Sequence, residues 1–255
     1  MSVAKNDSDV PGGFDEGEMT LQQQWLEDSA SRIFPRPCAI AVQRFDRDDI
    51  PLPSPADVAL VNAVEKRRRE FSAGRVAADT ALKTLGIAES RIPVGPARNP
   101  VWPAGITGSI AHSSGFAIAA VARQTEIAAL GLDLEPIDAL GSDLWPNILT
   151  EMESRRISEK SRDRQVPMAT VIFCIKESFY KLQYPLTGRW VDFSDVDVGF
   201  EPEAGTISLV CREPGVAAAL RRSRFNGRYA LGTRFCLTGM HLSQSEMTTP
   251  SGDNP

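Results

Sequence analysis

The segment Ile127-Ala-Ala-Leu-Gly-Leu-Asp-Leu-Glu-Pro136 decides how the rest of the chain is read. Leu132 and Leu134 alternate with Asp133 and Glu135, the period-two pattern of a strand, so the leucines face one way and both carboxylates the other. Two carboxylates on one strand face suit magnesium, which takes one or two protein carboxylates and completes its octahedron with water and substrate phosphates. A solvated acidic strand face has the same pattern, so D-x-E alone leaves both readings open.

The second informative segment is Phe173-Cys-Ile-Lys-Glu-Ser-Phe-Tyr-Lys-Leu182. Val171, Ile172, Ile175, Phe179 and Leu182 recur at helical spacing, while Lys176, Glu177, Tyr180 and Lys181 form a polar stripe. Glu177 and Lys181 are one turn apart, which fits an exposed ion pair as well as a reactive one.

Working outward, TGSIAHS and FAIAAVAR are short extended segments bounded by glycine or polar residues, and with IAALGLDLE they predict adjacent strands in one sheet. PCAIAVQRF predicts an earlier strand. The stretch LPSPADVALVNAVEKRRREFSAGRVAADTALKTLG predicts two helices broken or bent near Gly74, with Val58, Val61, Val64, Phe71, Ala78, Leu82 and Leu85 as the apolar face. Downstream, DLWPNILTEMESRRISEK and VPMATVIFCIKESFYKLQYP predict helices, followed by strand-like VDFSDVDVGFE, GTISLVCR and RYALGTRFCLTGMHL. The order gives an α+β chain, divided at the boundary between residues 25–125 and 126–242, with no sequence repeat to prove a duplication. Residues 1–24 and 243–255 have little to bury and are expected to be disordered.

A chain of 255 residues with 42% hydrophobic residues can bury a full core. No stretch approaches the roughly 18 consecutive apolar residues of a membrane span, and the N-terminus lacks the apolar core of a signal peptide, so a cytoplasmic protein without membrane contact is expected. Cys38, Cys174, Cys211 and Cys236 are scattered without metal-site spacing and read as reduced structural thiols. A net charge of −5 argues against a nucleic-acid partner, and neither GxxxxGK[ST] nor GxGxxG is present.

Taken together, Gly131-Leu-Asp133-Leu-Glu135 and the Lys176-Glu177-Ser178-Phe-Tyr-Lys181 run preceded by Phe173, with Glu177 42 positions after Glu135, resemble the signature of the 4′-phosphopantetheinyl transferases of the surfactin and enterobactin synthetase type. RRREFSAGRVAADTAL, RNPVWPAG and GSIAHSSG are similar to the enterobactin-synthetase branch, so the likeness runs from about Arg67 to Leu182. That family commonly has Ser directly before its histidine; here Ala111 precedes His112 and the serine is Ser109.

The resemblance implies a pseudo-dimeric fold in one chain, expected to be a monomer. It also implies transfer of phosphopantetheine from coenzyme A to a serine of an acyl or peptidyl carrier protein, with release of 3′,5′-ADP. Asp133, Glu135 and Glu177 would hold magnesium or manganese, Glu177 would take the serine proton, and Lys181 would neutralise the departing phosphate, with Lys176 on another phosphate oxygen. Arg67, Arg68, Arg69 and Arg75 form a basic cluster suited to the 3′-phosphate of coenzyme A, since a guanidinium can donate two bonds at once. His112 and Ser109 are further candidate ligands of coenzyme A; Trp102 is a core plug or a ligand neighbour. The branch resembled points to secondary metabolism, siderophore formation included. The competing readings are a magnesium-dependent phosphohydrolase or nucleotidyl transferase, distinguished by its acceptor, and a binding module with structural carboxylates.

Overall fold

The computed structural model describes residues 15–46, 64–88, 92–220 and 225–246. The alanine-rich run Phe116–Arg123 forms β3, buried along its length until Arg123. Small side chains on both of its faces let layers close in from two sides. β1 (Ala39–Arg44) and β2 (Ile106–Ser113) flank it in an antiparallel sheet of order β1-β3-β2, with Ala41 opposite Ala119 and Ile110 also opposite Ala119. Ala119 and Val121 pack under helix α2 (Glu65–Thr84) against Ala77, Ala78, Ala81 and Leu82. Phe116, Ile118, Ala120 and Ala122 turn the other way into a central core.

The second half repeats the motif of an antiparallel sheet backed by a long helix. β4 (Ile127–Pro136), β5 (Val196–Glu201), β6 (Thr206–Cys211), β7 (Asn226–Leu231) and β8 (Phe235–Ser243) form a sheet of order β4-β8-β7-β6-β5. The helices are α3 (Trp145–Ile148), α4 (Glu151–Ser158), α5 (Arg162–Thr187) and α6 (Pro214–Leu220). α5 covers one face of this sheet through Val171, Ile172, Ile175, Phe179 and Leu182. On the other face Leu130, Leu132, Leu134, Phe235 and Leu237 meet the first sheet in the central core. Full burial of leucines such as Leu132 and Leu134 stabilises the fold by about 1.5–3 kcal/mol each.

The chain is therefore α+β with two similar halves, as the sequence predicts, with four corrections. The strand IAALGLDLE does not share a sheet with TGSIAHS and FAIAAVAR: β4 takes β8 as its ladder partner, with Asp133 opposite Thr238. β2 and β4 still lie side by side, joined where the Leu132 amide donates to Ser109 Oγ at 3.0 Å.

Residues 16–24, expected to be disordered, belong to helix α1 (Glu16–Ile33), which Asp15 caps by accepting from the Glu18 amide. Met19, Leu26, Ala30 and Ile33 seal one edge of the central core. Arg44 on β1 pairs with Glu16 at 2.9 Å, and Arg234, just before β8, pairs with Glu18 at 2.8 Å, so α1 is tied to both halves.

No break occurs at Gly74. α2 runs through it because the glycine sits against Ile110, where a Cβ would come within 2.9 Å of the isoleucine methyl. The first of the two helices expected in that stretch, with Val58 and Val61, lies outside the described residues. So do residues 1–14 and 247–255; residues 243–246, expected in the tail, complete β8 and a short 3-10 turn. No helix among the described residues is long and apolar enough to cross a membrane.

Candidate active site

The site lies in the seam between β2 and β4, with α5 on one side and the N-terminal turns of α2 on the other. Gly131 shapes it. A side chain at this position would overlap the carbonyl of Ser178, so the missing Cβ is what lets α5 press its backbone onto β4. That approach brings Lys181 onto Asp133 of the acidic strand face, with Glu177 one helical turn before it. A second tie fixes the contact: the hydroxyls of Ser178 and Thr238 share a hydrogen bond, and Thr238 Oγ1 donates to the Cys174 carbonyl at 2.9 Å.

The alternation in β4 holds, but its acidic face is not solvated. Asp133 is 4% exposed and Glu135 1%. Lys181 Nζ donates to Asp133 Oδ1 at 2.7 Å, to the Leu132 carbonyl at 3.0 Å and to the Ile110 carbonyl at 3.4 Å, so it bridges the strands of both halves. Asp133 Oδ2 is buried and has no hydrogen-bond partner among the described residues. The field of this face reaches its neighbours: burial first, then Cys236, Asp133 and Glu135, push the Cys174 thiol well above its ordinary value. Glu177 is half-buried, and Tyr180 beside it has its phenol raised by burial first and then by Tyr184 and Glu177.

The expected three-carboxylate metal set is not gathered. Among the described residues no three His, Cys, Asp or Glu side chains come close enough to hold an ion between them. An ammonium is drawn instead to the buried carboxylate of Asp133. The donor chemistry still fits magnesium, because a buried orphan oxygen on Asp133 with Glu135 on the same strand face supplies the one or two carboxylates that ion needs beside substrate phosphates.

Two expected ligands take other roles. Lys176 does not face the seam: it is 2% exposed, and its ammonium donates to the Ile148 carbonyl at 2.8 Å, Glu153 Oε2 at 2.7 Å and the Phe193 carbonyl at 2.8 Å. All three of its donors are engaged in the core, which removes it from the phosphate ligands. Ser109, 3% exposed, accepts from the Leu132 amide and stitches β2 to β4. Trp102 packs its indole on the Gly108 backbone, as a core plug would.

The basic cluster is spread along α2. Arg67 Nη1 lies 2.9 Å from His112 Nε2 and 3.2 Å from Glu70 Oε2, and Glu70 is in turn 3.7 Å from His112 Nδ1. Arg69 pairs with Glu65 at 2.7 Å, Arg68 is half-buried, and the Arg75 guanidinium stands 4.6 Å over the Phe71 ring. Arg67 and His112 thus come together on the β2 side of the seam, two residues along the strand from Ile110, whose carbonyl receives Lys181. Sequence reasoning missed Glu70, Glu153 and Thr238. Glu70 was readable as the i, i+3 partner of Arg67, and Glu153 as the third residue of the Thr150 capping box. Thr238 gave no local signal, because its role comes from cross-strand pairing.

Comparison with known proteins matches both halves of the chain. The family model for the 4′-phosphopantetheinyl transferase N-terminal domain matches residues 55–122, and that for the 4′-phosphopantetheinyl transferase superfamily matches residues 129–233. The chain is 35% identical to the 4′-phosphopantetheinyl transferase Svp of Streptomyces mobaraensis, over 77% of this chain and 81% of that protein. It is 35% identical to the 4′-phosphopantetheinyl transferase PptT of Mycobacterium tuberculosis, over 60% of this chain and 67% of that protein. To enterobactin synthase component D of Salmonella typhi it is 37% identical over 48% of this chain and 50% of that protein. With a signature strand and helix pressed together at Gly131 and relatives that match across both halves, the chain belongs to the 4′-phosphopantetheinyl transferase superfamily.

Proposed function

We propose that this chain transfers the 4′-phosphopantetheine of coenzyme A to a serine of an apo acyl or peptidyl carrier protein, with release of 3′,5′-ADP. The observation that carries the reading is the Lys181 ammonium held at the seam by Asp133 and by backbone of both halves, one helical turn from Glu177. The serine oxygen forms a bond to the β-phosphorus as the bond from that phosphorus to the bridging pyrophosphate oxygen breaks. Glu177 accepts the serine proton, and Lys181 faces the negative charge that collects on the departing oxygen. Arg67 and His112, across the seam, are the donors available to phosphate or ribose, with Arg68, Arg69 and Arg75 further along α2 for the 3′-phosphate.

Asp133 and Glu135 would hold magnesium, or manganese in its place, with Glu177 proposed as the third carboxylate. When bound, that ion would neutralise pyrophosphate charge beside these carboxylates. Without it the pyrophosphate would approach several carboxylates, and Coulomb repulsion would weaken its binding. The two-halved chain is proposed to act as a monomer in the cytoplasm, on carriers of secondary metabolism.

The test is intact-protein mass spectrometry of apo carrier proteins incubated with the chain, coenzyme A and magnesium, beside a Glu177→Gln control. A phosphopantetheine-sized mass gain that the control loses supports the reading. No gain on fatty-acid, polyketide or peptide carriers with folded protein overturns it.

A further inference from the structure

Lys176 stands directly before Glu177 in the chain, yet it turns into the core and meets three separate pieces of structure. Its ammonium reaches the end of α3 at the Ile148 carbonyl, α4 at Glu153, and the turn before β5 at the Phe193 carbonyl. Glu153, 0% exposed, completes the hub by accepting from the Thr150 amide at 2.8 Å and, through its other oxygen, from the Val198 amide of β5 at 2.8 Å. Arg156 donates to the Val198 carbonyl at 2.9 Å, and Arg212 pairs with Asp197, so the same strand is bracketed by two more cations.

We propose that Lys176 is a positioning residue, locking with Glu153 the turn of α5 that carries Glu177 and so fixing the rotation of Glu177 relative to Lys181 and Asp133. The inference rests on the transferase reading and names a role within it. A buried ion pair is a poor source of stability, since apolar side chains of similar volume serve as well or better, so its presence calls for another explanation. Geometry supplies one. An apolar side chain at position 176 would permit α5 to slide or rotate on its neighbours, whereas an ammonium with three fixed acceptors specifies a single rotation of the helix.

The experiment uses the full chain with Glu153→Gln, and with Lys176→Met combined with Glu153→Gln so that no lone charge is left buried. In both, kcat is expected to fall by roughly 10- to 100-fold while the KM and calorimetric affinity for coenzyme A stay within about two-fold of wild type. Amide hydrogen exchange is expected to quicken together around residues 148–153, 176–178 and 193–198. A loss of coenzyme A affinity without a change in kcat would make Lys176 a phosphate ligand and overturn the proposal, as would unchanged kcat in both variants. If the wild type modifies no carrier, the transferase reading falls alone. The exchange pattern then decides the hub: coupled loosening supports the lock on the Glu177 turn, and undisturbed exchange at 176–178 rejects it.

Discussion

Gly131 and Ser178 are so close that a Cβ on the glycine would overlap the serine carbonyl oxygen. This contact between strand and helix sets the spacing on which every charged group in the seam depends. Gly131→Ala should force α5 away from β4, costing about 1–3 kcal/mol by overpacking. It should lower transfer activity by about 100-fold or more, because small displacements of reacting groups are costly in rate. Urea melts and carrier-modification rates measured on the same preparation check both.

Lys181 touches Asp133 and two backbone carbonyls and is only 28% exposed. Lys181→Met should lower kcat by about 100- to 1000-fold, the loss seen when one preorganised donor to developing charge is removed. Pre-steady-state transfer to an apo carrier measures it, and near-normal turnover would remove Lys181 from the reaction.

Ser109 separates two roles cleanly. As the acceptor for the buried Leu132 amide, Ser109→Ala should cost about 1–3 kcal/mol of stability by orphaning that donor. Its affinity for coenzyme A, measured by calorimetry on the folded fraction, should be unchanged. A large affinity loss without destabilisation would return Ser109 to the ligand set.

His241 carries the pH prediction. Burial lowers its folded-state pKa below 6.5, with Glu246 opposing, and its Nδ1 is buried without a hydrogen-bond partner among the described residues. The unfolded chain therefore binds a proton at a pH where the folded chain does not, so stability falls as pH drops below the unfolded value of about 6.5 and levels off below the folded one. Denaturant midpoints at pH 7.5 and 5.5 should differ less in His241→Asn than in the wild type.

Cysteine labelling gives a fifth. Burial first, then Glu126, raise the Cys38 thiol to about 12, and burial likewise raises Cys174 and Cys211. Since the thiolate is the nucleophile, iodoacetamide at pH 8 should modify these three far more slowly in the native protein than in urea, as followed by mass spectrometry.

Much of the site was legible because its signals are local. The alternation of Leu132, Asp133, Leu134 and Glu135 fixed the two faces of β4, and helical spacing placed Glu177 and Lys181 one turn apart. What the alternation could not tell was that the acidic face would be roofed by α5, since that depends on a helix starting nearly thirty residues later. Lys176 was misread for the same reason: its partner Glu153 lies 23 positions upstream. The error in α1 was different. Met19, Leu26, Ala30 and Ile33 form a sparse stripe in a polar segment, too thin to announce a helix by hydrophobicity, though Asp15 and Glu18 already carried a cap signal.

The clasp made by α1 has a consequence for how the molecule is made. α1 leaves the ribosome well before its partners: Arg234, the partner of Glu18, stands 216 positions later, and the β8 residue Gly239, against which Ile33 and Phe34 pack, is later still. Such long-range closure is slow, and until β8 is synthesised the apolar stripe of α1 lacks Phe235 and Leu237 of its cluster. Nascent chains stalled before β8 should therefore be a substrate for holding chaperones, with release coinciding with the arrival of β8.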